Sequence, residues 1–277
     1  MSGKLYVVGT PIGNLSDFSP RAVQALQDCD FIAAEDTRVT LKLLNHFEIK
    51  KPMISYFEHN KREKGEQILQ KILQGECCAL VTDAGMPAIS DPGEDLVDLC
   101  LNNGVTVESV PGPTAFATAV AVSGLPSGRF CFEGFLSVNK PSRREHLNEI
   151  RDEKRTLVFY EAPHKLVATL HDLYDCLGDR RVAIIKELTK LHETVERTTL
   201  GAACERYDGT APKGEYVLVI EGKPQTQETV LSLEDAVAIA KRLRDSGIKI
   251  NEAAKTAAKE SGLKKNDIYK LLLEDEK

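Results

Sequence analysis

Val81-Thr-Asp-Ala-Gly-Met-Pro-Ala-Ile-Ser-Asp-Pro-Gly93 is the stretch from which the organisation of this chain is read. It follows an apolar run, residues 77–81, that reads as a buried strand. It precedes an amphipathic run, residues 95–101, that reads as a helix. Gly85, Pro87, Pro92 and Gly93 forbid regular structure between the two, and Ser90 or Asp91 is expected to cap the helix. Connections between strands and helices are mostly a few residues long, and longer irregular ones tend to be functional. A strand, a stiff loop and a helix start place polar groups at the carboxyl end of a strand, where open α/β sheets bind ligands.

The same arrangement recurs around it. Residues 5–8 read as a strand, followed by Gly9-Thr-Pro-Ile-Gly-Asn14 and by a helix with Ser19 as its cap and Pro20 at its first position. The turn lacks the G-x-G-x-x-G dinucleotide fingerprint, and with Pro11 inside it reads as a wall for a ligand. Residues 31–34 form a second strand running into Glu35-Asp-Thr-Arg38. A helix dipole explains the two acids at the start of the following helix but not Arg38. Residues 53–56 form a third strand, with a mostly basic stretch at 59–64. Residues 105–110 lead into Pro111-Gly-Pro-Thr114 and a small-residue helix from Ala115, where Thr114 either caps the helix or turns its hydroxyl to a ligand. Three such loops in one half favour a shared site.

The second half restarts the α/β pattern. Residues 130–136 read as a strand and as the crossing between domains. The cations of Lys140-Pro-Ser-Arg-Arg144 sit at a helix start where they are unfavourable, a hint of an anionic partner. Strands are expected at 156–160, 181–185 and 215–220, and helices from Pro163 and over 198–207. Residues 223–231 read as a linker. Three short helices follow, capped by Ser232, Asn251 and Asn266 or Asp267, with Gly247 and Gly262 as stops and a helix-turn-helix spacing. The domains are therefore 1–125, 126–222 and 232–277: two α/β domains and a small helical domain.

Composition bounds what such a protein does. The 277 residues carry a net charge of −6, so any nucleic-acid contact rests on local patches. Residues 231–277 carry ten Lys/Arg against nine Asp/Glu, a net of +1, which leaves −7 elsewhere. Seven cysteines, an odd number with no C-x-x-C, read as reduced thiols in a cytoplasmic protein. The opening residues do not read as a signal peptide, and no apolar run approaches the ~20 residues of a membrane span. His164 and His192 have no second His at metal spacing, so no metal is expected.

Together, Gly9-Thr-Pro-Ile-Gly-Asn14, Glu35-Asp-Thr-Arg38, the stretch from Asp83 to Gly93, Pro111-Gly-Pro-Thr-Ala115 and Glu187-Leu-Thr-Lys190 resemble the bacterial ribosomal RNA small subunit methyltransferase I family, a branch of the tetrapyrrole-methylase-like methyltransferases. The resemblance spans residues ~4–221, with Thr114 where the family usually has Ser. It implies S-adenosylmethionine as methyl donor and the 2′-hydroxyl of a decoding-centre cytidine in 16S rRNA as acceptor. It also implies a donor site in the cleft between the two α/β domains, and a homodimer that works on rRNA within the small ribosomal subunit. By the same resemblance Pro11, Asp83, Met86, Thr114, Ala115, Tyr160, Ala211 and Pro212 match donor-contacting positions. Asp36, Glu187 and Lys190, beside Asp83, are candidates to orient or deprotonate the hydroxyl. Arg38, Arg143, Arg144, Lys264, Lys265 and Lys270 are candidates for RNA phosphate contact. The alternatives are a small-molecule methylase of tetrapyrrole type and a non-catalytic RNA-binding assembly factor.

Overall fold

The computed structural model describes residues 3–224 and 231–274. Most of the expected linker therefore lies outside the described residues. Residues Met1–Lys223 form one compact unit and Pro224–Lys277 another. No helix among the described residues is long and apolar enough to cross a membrane.

The first unit is built on two five-stranded sheets. The first contains β1 (Lys4–Val8), β2 (Phe31–Ala34), β3 (Met53–Ser55), β4 (Cys78–Val81) and β5 (Thr106–Val110), all parallel, in the order β3-β2-β4-β1-β5. Every residue of β2 and β4 is buried, which is why both read as unbroken apolar runs. Helices α1 (Pro20–Asp28) and α2 (Thr37–His46) cover one face, and α3 (Lys61–Leu73) and α4 (Glu94–Asn102) the other. Ser19 caps α1 as expected, its hydroxyl accepting from the Ala22 N–H, with Pro20 at the first position.

The second sheet is mixed, in the order β6-β7-β10-β8-β9. Its strands are β6 (Phe130–Gly134), β7 (Thr156–Glu161), β8 (Arg181–Lys186), β9 (Thr194–Thr199) and β10 (Tyr216–Ile220). Helices α6 (Lys140–Ile150), α7 (Leu166–Leu177) and α8 (Leu200–Tyr207) cover its outer face. The inner face is covered by α5 (Ala115–Ser123), where Ala119 and Val120 pack with Val158, Ala183, Val217 and Val219.

Three expectations about this unit need correction. Helix α5 follows β5 in sequence but packs on the second sheet, so the chain crosses at the 111–114 loop and not at 130–136. Both ends of α5 are tied to that sheet: the Tyr160 hydroxyl accepts from the Phe116 N–H, and the Arg197 guanidinium donates to the carbonyls of Val122 and Ser123. Residues 194–199 are an edge strand rather than a lead into a helix at 198. Their Thr and Val content suits a half-exposed strand, and Thr199 caps α8. Gly93, not Ser90 or Asp91, caps α4, at a φ of 151° that a side chain rarely tolerates.

The second unit is a three-helix cluster: α9 (Leu233–Asp245), α10 (Ile250–Ser261) and α11 (Lys265–Glu274). Ser232 and Asp235 form a capping box at α9, and Gly262 ends α10 in the left-handed conformation. Helix α10 begins before Asn251, so that residue lies inside the helix and does not cap it. Ala236, Ala240, Ala254, Ala257, Ile268 and Leu272 close a core of small and branched side chains.

Candidate active site in the cleft between the two sheets

The loops after β1, β2, β4 and β5 meet at the carboxyl edge of the first sheet. Thr10 and Gly85 bridge the β1 and β4 loops through reciprocal backbone bonds of 2.9 and 3.2 Å. The Thr10 hydroxyl donates to the Thr82 carbonyl at 3.1 Å. The Asp36 N–H donates to Asp83 at 3.2 Å, and the Thr82 hydroxyl and Asp83 N–H donate to Glu35. Gly9 and Gly112 pass so closely that a Cβ on Gly112 would lie 2.8 Å from Gly9 backbone atoms. Here glycine serves close approach of two loops.

Between these loops and the inner face of the second sheet lies a cleft of about 530 Å³, within the range of small-molecule sites. Its first wall carries Ile12, Glu35, Asp83, Met86 and Asp91, and its second wall Phe135, Tyr160, Glu161 and Val217. The electrostatics are one-sided. No Lys or Arg lines the cleft, and no ion pair among the described residues joins Glu35, Asp83 or Asp91. Burial, reinforced by the charge of Glu35, raises the Asp83 carboxyl. The same causes push Asp91 up to about 6. Desolvated acids without an ion-pair partner suit a cationic ligand. Thr114 stands at the start of α5 without a side-chain capping bond. The Tyr160 hydroxyl takes over that end, leaving the Thr114 side chain to the cleft it lines.

Of the positions matched by resemblance to donor contacts, Asp83, Met86, Thr114, Ala115 and Tyr160 line this cleft. Pro11 is not among the lining residues, although its neighbour Ile12 is. Ala211 and Pro212 border a separate depression with Lys186, Arg206 and Lys213. The three catalytic candidates do not line the cleft. Asp36 is spent capping α2 and gripping Arg38, whose hydrogen bonds hold the carboxyl down to about 2 and make it a poor base. Glu187 and Lys190 belong to an ion-paired knot. The Lys190 ammonium donates to Glu187 and Glu215 at 2.9 Å each, and its bond to Glu187, with that from the Glu215 N–H, holds Glu187 below its ordinary range. That knot lies against Gly13 of the first lobe and ties the lobes together. Arg143 is also corrected. Its side chain is only 14% exposed and is bound to Asp172 and Thr169, so it braces α6 against α7. Arg144, Lys264 and Lys270 are exposed, Lys265 is half-buried, and Arg38 is 87% exposed while paired with Asp36.

Sequence reasoning passed over Asp91 and Phe135. Asp91 was assigned to a cap that Gly93 provides. Phe135 breaks the alternation of Phe130 and Phe132 just after Gly134, which signals the register shift observed there.

Residues 4–204 match the family described as Tetrapyrrole (Corrin/Porphyrin) Methylases. A protein of Synechocystis named ribosomal RNA small subunit methyltransferase I is 45% identical over 98% of this chain and 98% of its own. One of that name from Thermotoga maritima is 47% identical over 221 residues, which are 80% of this chain and 99% of the relative. The chain belongs to the ribosomal RNA small subunit methyltransferase I family. Solved structures share the fold of this methyltransferase family at low identity. Cobalt precorrin-4 methyltransferase matches at a TM-score of 0.59 and 21% identity, over 79% of this chain and 94% of that one. A uroporphyrin-III C-methyltransferase from Thermus thermophilus, complexed with S-adenyl homocysteine, matches at 0.54 and 20%, over 78% and 97%.

Proposed function

We propose that the protein transfers a methyl group from S-adenosylmethionine to the 2′-hydroxyl of a cytidine in the decoding centre of 16S rRNA. On this reading it is a cytoplasmic homodimer that acts on the small ribosomal subunit. The observation that carries the proposal is the acid-lined, cation-free cleft. It is built by a family of rRNA methyltransferases and suits a ligand bearing positive charge.

When bound, S-adenosylmethionine supplies a methyl group made electrophilic by its sulfonium. Asp83 and Glu35 offer negative charge to the donor's cationic groups, and Met86 and Ala115 give apolar contact. The Thr114 hydroxyl is free to hydrogen-bond a ligand. Holding two reactants in line supplies ~7–11 kcal/mol in favourable cases, and the apolar side chains of Ile185, Leu188 and Val217 keep water from a reactive donor. The hydroxyl proton must leave, and Asp91 is the acceptor: it faces the cleft, and its pKa of about 6 leaves it ionised yet basic near neutrality. Arg38, Arg144, Lys264, Lys265 and Lys270 contact phosphates outside the cleft.

The test is methylation of unmodified small ribosomal subunits with labelled donor, with Asp83→Ala in parallel. Label is expected at one cytidine ribose. Asp83→Ala is expected to lose donor binding by calorimetry while still retaining RNA in a filter assay. Label confined to a porphyrinoid, or donor affinity unchanged by Asp83→Ala, would contradict the proposal.

A further inference from the structure

The chain has nine Phe, seven Tyr and no Trp, yet five of these rings form one file across the inner face of the second sheet. Phe130 and Phe116 have centroids 6.1 Å apart, Phe116 and Phe132 4.6 Å, Phe132 and Tyr160 4.9 Å, and Tyr160 and Phe135 5.6 Å. Tyr160 is fixed within the file because its hydroxyl accepts from the Phe116 N–H at 3.1 Å. The file ends at Phe135, which lines the cleft and is 54% exposed. The register shift in β6 and the positive φ of Gly134, 63°, set the direction of the chain at Phe135. A large ring held half in water by a rigid aromatic neighbour gains little from that burial, but it offers a stacking face.

Charge selects what stacks there. Glu35, Asp83, Asp91 and Glu161 line the same cleft, and no Lys or Arg does; Glu215, which also lines it, is paired with Lys190. A phosphate is repelled by that lining, whereas an uncharged planar base is not. The exposed cations Lys140 and Arg144 lie on α6, which begins five residues beyond Phe135, and they border a depression outside the cleft.

We propose that Phe135 is the stacking platform for the target nucleobase of the RNA. It holds that base turned out of its strand at the cleft mouth while the flanking phosphates stay outside. Enzymes acting on one nucleotide of a structured RNA must extract it from its stack, and aromatic side chains are the usual receivers of splayed bases. The proposal rests on the RNA methylation proposed above.

The test compares Phe135→Ala, Phe135→Leu and Phe135→Tyr in the full chain, using unmodified small ribosomal subunits and labelled S-adenosylmethionine. Phe135→Ala is expected to lower kcat/KM for the subunit by roughly ten- to a hundredfold, mainly through KM. Its calorimetric Kd for the donor should stay at the wild-type value, which also shows that the fold is intact. Phe135→Tyr is expected to restore activity, and Phe135→Leu, of similar bulk but without a π face, is not. Equal kcat/KM in Ala and wild-type proteins overturns the inference, as does equal rescue by Leu and Tyr. A parallel loss of donor affinity places the ring against the donor's adenine instead and also overturns it. Absence of any label on rRNA from the wild-type protein fails the methylation proposal itself, and this inference with it. Label with no Phe135 effect fails the inference alone.

Discussion

At the scale of single residues, Asp91 has the most to reveal. Its carboxyl is pushed from 3.8 up to about 6 by burial first and then by the charges of Glu35 and Asp83. Between pH ~4 and ~6 the folded protein therefore holds a proton that the unfolded chain has released. Stability falls as pH rises through that window and is level above it. Asp91→Asn removes the desolvated charge and is expected to stabilise the fold at pH 7.5 by roughly 1 kcal/mol, after discounting for solvent screening. For a unit of this size that is about 2–4 °C in Tm, and the gain should vanish near pH 4. In activity, kcat/KM should fall as pH drops through about 6. The Asn variant should lose that limb together with about 10²–10⁴ in rate. An unchanged acid limb in the variant would remove Asp91 from the proton path. The loop that carries Asp83 and Met86 is legible from sequence, because Gly and Pro punctuation leaves so stiff a segment little other use, and the family resemblance picks out the two residues within it. Asp91 is not, because an Asp before Pro-Gly reads equally well as a cap.

At the scale of elements, the site depends on loops that touch more than on strands that pair. Gly9 and Gly112 bring the β1 and β5 loops into backbone contact, and Thr10 with Gly85 joins β1 to β4. Gly112→Ala forces a Cβ to within 2.8 Å of the Gly9 backbone. Overpacking of that kind costs about 1–3 kcal/mol. Calorimetry should show Tm lower by several degrees and donor Kd weaker by tenfold or more. Wild-type values of both would mean that the loops part freely. The strands of the first sheet were legible to within a residue, since buried parallel strands are continuous apolar runs. Strand β9 was not, because Thr194–Thr199 lies at an edge with a half-polar surface. Nor was the allegiance of α5. A helix of small apolar residues fits either sheet, and the packing of Ala119 and Val120 together with the Tyr160 and Arg197 bonds at its two ends decides for the second.

At the scale of the whole molecule, the chain divides at Lys223 into the unit with both sheets and the unit with three helices. The Thermotoga relative matches over 80% of this chain and 99% of itself, so it has no counterpart for about a fifth of the chain. Because residues up to Lys223 form a compact unit of their own, a protein ending at Lys223 is expected to fold with a Tm within a few degrees of the full chain and to bind donor with the same Kd. Its KM for small ribosomal subunits should rise about tenfold or more, since Lys264, Lys265 and Lys270 are gone. An unchanged KM would show that these cations do not meet RNA. The sequence by itself determined the two α/β halves, the helical end, and the family, because apolar periodicity, Gly/Pro loops and the long Asp83–Gly93 motif are properties of neighbouring residues. The tertiary structure alone decided which acids share the cleft, that Asp36, Glu187, Lys190 and Arg143 are spent in internal pairs, and that Phe135 lines the cleft half-exposed. Desolvation and counter-charge depend on groups distant along the chain, and no local pattern records which of them will meet.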